Sequence, residues 1–292
     1  LDKIDSQDAK YYLLSCQQQG GGFSSFPTTD PSWMRLEFTF AAVQALHMLD
    51  GLNGMNETAA IKWIASCQNP DGGFGSRPED DWSSCRETYF AIHALSIMNK
   101  SLDQINSDAA IDYLVSRQSV GGDFGNVEQT YYAVYALSIL NALQYINVGA
   151  VVKFFTSSQN PDGGFGDGPW DHWSWIDKTQ YVIDGLHLLY SFMGELLEKY
   201  SELLTRFGDL NATYHSLLGD YNNLTASYQA LSSSYSKLRQ DYSALKSSYD
   251  DLREKSEALN ATYSSLLRDY GNLTSSYQTL HTYCEDLNIT YY

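Results

Sequence analysis

The sequence predicts an all-α protein, a partial ring of four α/α helical hairpins followed by one long coiled-coil helix. Three observations carry this. The octapeptide QNPDGGFG occurs twice, at 68–75 and 159–166. It is the best-kept copy of a pattern, Gln-x3-Gly-x-Phe, that occurs four times: Gln17/Gly21/Phe23, Gln68/Gly72/Phe74, Gln118/Gly122/Phe124 and Gln159/Gly163/Phe165. Finally, the last proline is Pro169, so the remainder of the chain contains no such helix breaker and can be a single helix.

The repeat sets the elements in order. Before each Gln runs a stretch of ten to twelve residues with helical periodicity, carrying Ser two positions before the Gln and an aromatic five before it (Tyr12, Trp63, Tyr113, Phe154). Ser6, Asn56, Ser107 and Asn147 are the expected N-caps. After each Gly-rich turn a second helix is anchored on Thr39, Thr88, Thr130 and Thr179. Six residues on, a small residue lets neighbouring helices approach (Ala45, Ala94, Ala136, Gly185). The units are expected at about 6–50, 56–100, 107–143 and 147–193, within a head of residues 1–193. Stacked hairpins of this period make a curved solenoid. LDKIDSQDA at the start echoes LDQINSDAA at 102–110, so the chain starts at a repeat junction.

Gln-x3-Gly-x-aromatic between paired helices resembles the repeats of squalene cyclases and protein prenyltransferase β subunits. The resemblance covers about residues 6–193 and implies an α/α toroid with the second helix of each unit inside. It also implies that Gln17, Gln68, Gln118 and Gln159, with the following Phe residues, tie units together. The family chemistry has no matching residues. Prenyltransferases hold zinc with Asp-x-Cys at an inner-helix start and a later His. Here those positions read Glu37-Phe38-Thr39, Arg86-Glu87-Thr88, Glu128-Gln129-Thr130 and Asp177-Lys178-Thr179. Glu79-Asp80-Asp81 matches the acid cluster of cyclases in composition only, and the Cys-Gly-Glu-Gln thioester of complement-like toroids is absent. No catalytic residue is therefore expected, and the protein is expected not to be an enzyme.

Positions one, five and eight after each Thr share a helix face. Gln44, His47, Tyr89, His93, Tyr131, Tyr135, Gln180, Asp184 and His187 on that face are the candidate ligand-binding residues of a concave wall. Trp33, Trp82 and Trp173 recur six before their Thr, which favours packing over recognition. Asp80, Asp81, Asp167 and Asp171 nearby are candidate Ca²⁺ ligands by their hard oxygens alone. Beyond Ca²⁺ and N-linked glycans, no cofactor or metal is expected. Cys16 and Cys67 hold equivalent positions and are expected buried and unbridged.

From Tyr200 the heptad is regular. Leu fills position d at all thirteen sites from 203 to 287, and Tyr fills eleven of fourteen a sites. This predicts a coiled-coil stalk over 194–292. Cys284 at an a position is a candidate for an interchain disulfide. Seven Asn-x-Ser/Thr sequons, at Asn56, Asn99, Asn211, Asn223, Asn260, Asn272 and Asn288, are candidate glycosylation sites. Sequon-studded Tyr/Leu stalks are similar to those of archaeal cell-surface and S-layer-associated proteins. The net charge of −17 disfavours nucleic acid.

Together these features predict a non-enzymatic, glycosylated extracellular surface or filament protein acting in assembly or adhesion. It would self-associate through the coiled coil and by head-to-head or head-to-tail contacts, and meet a membrane only through an anchor outside the sequence. The first alternative is a module binding a glycan or protein ligand on its concave wall. The second is a prenyltransferase- or terpene-cyclase-like enzyme.

Overall fold

The structure is a computed structural model that describes residues 5–98 and 102–289. It divides into two compact units, Leu1–Ser201 and Glu202–Tyr292. In the first, helices alternate as the repeat dictates: α1 (Ser6–Ser15), α2 (Leu36–Met48), α3 (Glu57–Ser66), α4 (Cys85–Ile97), α5 (Ser107–Ser116), α6 (Val127–Ile139), α7 (Val148–Ser157) and the start of α8 (Ile176–Ile289). Among the described residues there is no strand, only isolated bridges such as Gln68 to Phe74, which recur across the first, second and fourth Gly-rich turns. The protein is an all-α, partial α/α toroid with a long C-terminal helix. Asn99 lies outside the described residues.

Two of the expected caps are displaced by one residue. Asn56 and Asn147 cap α3 and α7, each accepting the third helical N–H. The caps of α1 and α5, however, are Asp5 and Asn106; Ser6 and Ser107 are already helical. Carboxylate and amide oxygens reach the N2 and N3 amides as well as a hydroxyl does, so the residue before the serine takes the role.

The second helices form the core. α4 packs between α2 and α6 and is the most deeply buried, with Ile92, Ala94 and Leu95 fully covered. The repeated Thr is explained by its hydroxyl. In unit two, Thr88 Oγ1 accepts from Phe74 N–H at 3.1 Å and donates to the Ser84 carbonyl at 2.7 Å, satisfying a buried donor. Thr39, Thr130 and Thr179 do the same for Phe23, Phe124 and Phe165. Cys16 and Cys67 are buried free thiols; burial pushes both above the ordinary thiol value.

Successive units are joined through the turns. Gln17 Nε2 donates to the Asn56 carbonyl at 3.0 Å, and its Oε1 accepts the Asn56 N–H at 2.8 Å. Gln68 does this to Asn106, and Gln118 to Asn147. Among the described residues, the side chain of Gln159, the fourth copy, bonds only within its own turn, to the Gly163 carbonyl.

In the second unit, Glu202–Tyr292, α8 carries its Tyr and Leu stripe largely exposed; Tyr228 is 71% exposed and Leu231 68%. Among the described residues, no helix is long and apolar enough to cross a membrane.

Candidate functional site

The chemistry-bearing residues of the second helices assemble into an aromatic seam. Phe40 on α2 stacks on Phe90 of α4 with centroids 5.0 Å apart. Tyr89 meets Tyr131 of α6 at 6.3 Å, and Tyr131 stacks on Tyr181 of α8 at 4.6 Å. Tyr135 packs on Tyr131 at 4.6 Å and on Tyr89 at 6.2 Å. Each unit thus adds a ring, and the offset and edge contacts are those aromatic pairs prefer.

The polar tips of the seam are paired. The Tyr89 hydroxyl lies 2.8 Å from His93 Nδ1, the Tyr132 and Tyr181 hydroxyls are 3.3 Å apart, and the Tyr135 hydroxyl reaches the Asp184 carbonyl at 3.5 Å. Burial pushes the phenols of Tyr89, Tyr131 and Tyr132 well above their ordinary value and raises that of Tyr135, so none is a proton source near neutrality. Burial also lowers the His93 value, favouring its neutral ring.

The candidate wall of the sequence is therefore divided. Tyr89, His93, Tyr131 and Tyr135 stand in the seam, and Asp184 touches it through its backbone. Gln44, His47, Gln180 and His187 are exposed and outside it. Phe90, Tyr132 and Tyr181 belong to it and were missed by counting one, five and eight from the Thr. Their signal was present as an aromatic two after the Thr in three units.

At the starts of the second helices the charges are consumed in pairs. Arg86 forks onto Glu87 at 3.0 and 3.2 Å and lies 6.0 Å from the Phe90 ring. Lys178 Nζ bonds Glu128 at 2.9 Å, stands 3.8 Å from Asp167, and lies 5.5 Å from the Tyr181 ring. Between the loops of the first two units runs a groove lined by Trp33, Arg35, Arg77, Trp82 and Arg86.

The positions matching the zinc ligands of prenyltransferases do not fit the ion. The three Thr hydroxyls of the first units are buried and committed to backbone bonds, Arg86 stands in place of the acid, and Glu128 is held by Lys178. Among the described residues no three His, Cys, Asp or Glu side chains gather as a metal-holding group. The same applies to the Ca²⁺ candidates. Asp80 accepts from the Arg77 amide and pairs with its guanidinium. Asp171 accepts the amides of Asp167 and Trp173, and Asp81 is exposed. Asp80 and Asp171 shape the loops that carry Trp82 and Trp173, as Asp30 does for the loop of Trp33. The tryptophans themselves are not core: they are 47%, 51% and 74% exposed, because the loops lie over the surface.

The sequon asparagines Asn211, Asn223, Asn260 and Asn272 are exposed on α8, as is Cys284; Asn56 and Asn288 lie in the α3 cap and near the end of α8.

Comparison with known proteins identifies this architecture. The model of the prenyltransferase alpha-alpha toroid domain matches residues 1–35 and 32–173. The geranylgeranyl transferase type-1 subunit beta of Arabidopsis thaliana is 30% identical over 186 residues, 58% of this chain and 49% of that protein. The geranylgeranyl transferase type-2 subunit beta of Candida albicans is 31% identical over 193 residues, 58% of this chain and 55% of that protein. Among solved structures, the Candida albicans protein geranylgeranyltransferase-I complexed with GGPP superposes with a TM-score of 0.57 at 18% identity, over 64% of this chain and 61% of that one. The likeness to that structure concerns the fold. The chain spans about half the length of the curated relatives it matches.

These similarities overturn the reading as a non-enzymatic, extracellular surface or filament protein that self-associates through a coiled coil and head contacts. The relatives are transferase subunits, and the surface-layer resemblance of the Tyr/Leu helix finds no counterpart among them. Acidic charge, sequons and an exposed heptad are surface properties that many proteins share, so they did not discriminate. The chain belongs to the prenyltransferase alpha-alpha toroid family.

Proposed function

We propose that this chain works in prenyl transfer, as an isoprenoid-binding α/α portion of a transferase subunit. The observation that carries the reading is the unbroken succession of rings over four second helices, from Phe40 through Tyr89 and Tyr131 to Tyr181. An isoprenoid chain is long and apolar with evenly spaced double bonds. A continuous strip of rings binds such a chain along its length by area burial. Phe40, Tyr131, Tyr135 and Tyr181 are only partly buried and offer their free edges to it, while Tyr89, Phe90 and Tyr132 support them from beneath. The names of the relatives, geranylgeranyl transferase beta subunits, support the same substrate class.

The role of the chain's own residues ends at binding and orientation. Arg86 and Lys178 lie against two rings at helix starts, where the macrodipole favours an anionic head group. Each is engaged by a carboxylate, so the head must compete with Glu87 and Glu128. The donor set does not fit zinc, and no step is assigned to it.

The test is titration of the full chain with a fluorescent geranylgeranyl diphosphate analogue. Saturable binding that geranylgeraniol competes away, weakened about tenfold by Tyr131→Ala, is expected; tenfold corresponds to ~1.4 kcal/mol. Absence of saturation, or indifference to Tyr131→Ala and Tyr135→Ala together, rejects the proposal.

A further inference from the structure

Within the second unit, residues 234–257 of α8 sort their side chains into three strips. Tyr235, Leu238, Tyr242, Leu245, Tyr249 and Leu252 make an apolar strip, each of them 64% to 69% exposed. At the positions that border a heptad seam stand Arg239, Lys246 and Arg253 on one side, and Asp241 and Lys255 on the other. The far face carries Asp250, Asp251, Glu254 and Glu257 against the single cation Lys237. Cations therefore gather beside the apolar strip, and acids away from it, in a chain of net charge −17.

The cations of the first border are not consumed by the helix. Among the described residues Arg239 and Lys246 form no ion pair, and Arg253 meets Glu257 only at 3.7 Å. Across the seam, Lys255 bonds Asp251 at 2.9 Å. An exposed apolar strip of this length marks a contact surface. Its width selects the occupant. The apolar residues keep to two positions in seven, the narrow seam that receives another helix, whereas a helix lying on a lipid surface presents a wider apolar face. The border charges disfavour a second copy. A parallel copy in register would set Ser234 against Arg239, Asp241 against Lys246 and Ser248 against Arg253, pairing one cation of three. An antiparallel copy centred on Lys246 would set cation against cation.

We infer that this stretch is a docking seam for an α-helix of a different protein, one whose heptad-spaced apolar residues are bordered by Glu or Asp. The acids of that helix face Arg239, Lys246 and Arg253. Opposite Tyr235, Tyr242 and Tyr249 it carries small residues such as Ala, so that each ring is covered while its hydroxyl reaches water at the edge of the seam. Opposite Leu238, Leu245 and Leu252 it carries Leu or Ile. The inference rests on this helix alone and is independent of the isoprenoid reading.

The probe is a labelled synthetic peptide of about four heptads, with Ala and Leu alternating at its core positions and Glu at its borders. It is titrated into the full chain and read by fluorescence anisotropy, beside a second peptide with Lys at the same borders. Saturable binding of the Glu peptide is expected, weakened about tenfold by Arg239→Glu, Lys246→Glu and Arg253→Glu together. The Lys peptide should bind that triple variant more tightly than it binds the parent, which also shows that the variant helix still forms. Absence of saturation by the Glu peptide, or equal binding of both peptides to the parent chain, overturns the inference. Sedimentation showing a dimer that Leu245→Asp dissociates would overturn it in favour of a second copy. Adsorption to phosphatidylglycerol vesicles, abolished by the triple variant, would overturn it in favour of a lipid surface.

Discussion

Gln68 clasps Asn106 across 38 residues, its Nε2 donating to the Asn106 carbonyl at 2.9 Å and its Oε1 accepting the Asn106 N–H at 2.8 Å. The same side chain holds the Gly72 carbonyl of its own turn at 3.0 Å. One amide thus fixes both the turn and the start of the next outer helix. Each bond contributes about 1 kcal/mol net, so Gln68→Ala, which removes three, should destabilise the folded chain by about 3 kcal/mol in urea denaturation. Gln159→Ala, which breaks the one bond within its turn, should cost about 1 kcal/mol or less. Equal losses would mean that the clasp is not what joins the units.

The glycine of the turn makes a sharper contrast. Gly72 and Gly163 share a φ near +90°, and alanine is strained at either position by about 1–2 kcal/mol. At Gly163 that strain is the whole effect, because the added methyl enters open space. At Gly72 the methyl would lie 2.1 Å from the Ala109 carbonyl oxygen, and the second and third units must separate to admit it. Gly163→Ala should give a folded protein with a modestly lowered melting temperature. Gly72→Ala should give little or no soluble folded protein, with circular dichroism as the readout.

The repeat, the hairpins and the long helix were legible because they are periodic: Gln-x3-Gly-x-Phe and the Tyr/Leu heptad recur at fixed intervals. What resisted reading was whatever depends on a neighbour. The Thr that opens each second helix is a tertiary anchor, and no local rule joins Thr88 to the amide of Phe74 fourteen residues earlier. The positions one, five and eight after the Thr do not include Phe90, Tyr132 and Tyr181, because α4 packs between α2 and α6 and the stripe that meets its neighbours is set by that packing. The loop tryptophans recur in register as packing residues do, yet Trp33, Trp82 and Trp173 are exposed, since a fixed sequence interval does not say whether a loop lies over the surface. The functional class was not legible, because charge, sequons and an exposed heptad are surface properties, and the zinc-ligand positions differ from the family pattern while the fold around them is kept. The relatives of the head supply the signal that the surface does not.

Glu87 is nearly fully buried and its carboxylate depends on Arg86, which forks onto both oxygens. Ser84 completes the arrangement by capping α4 at the Glu87 amide. Arg86→Ala strands a buried carboxylate, and one broken buried pair is worth about 3 kcal/mol or more. The double change Arg86→Met with Glu87→Leu removes both charges and should recover most of the loss. A double variant as unstable as Arg86→Ala would show that the hydrogen-bonded pair, and not the stranded charge, carries the effect.

His93 ties the aromatic seam to pH. Burial lowers its value in the folded chain from the ordinary 6.5, so the unfolded chain takes up the proton first. Stability then rises with pH through this range. The His93 contribution is complete above about 6.5, begins to fall as pH drops below it, and stops changing only below the lowered folded value. The contact with Tyr89 has the same sense. With that hydroxyl donating, the neutral ring accepts at Nδ1, and protonation removes the acceptor. His93→Gln keeps a polar group at the site but does not titrate. Urea denaturation at pH 7.5 and 5.5 should show the parent chain losing more stability than His93→Gln over that interval. Equal losses would place the acid sensitivity elsewhere in this acidic protein and leave His93 a passive part of the seam.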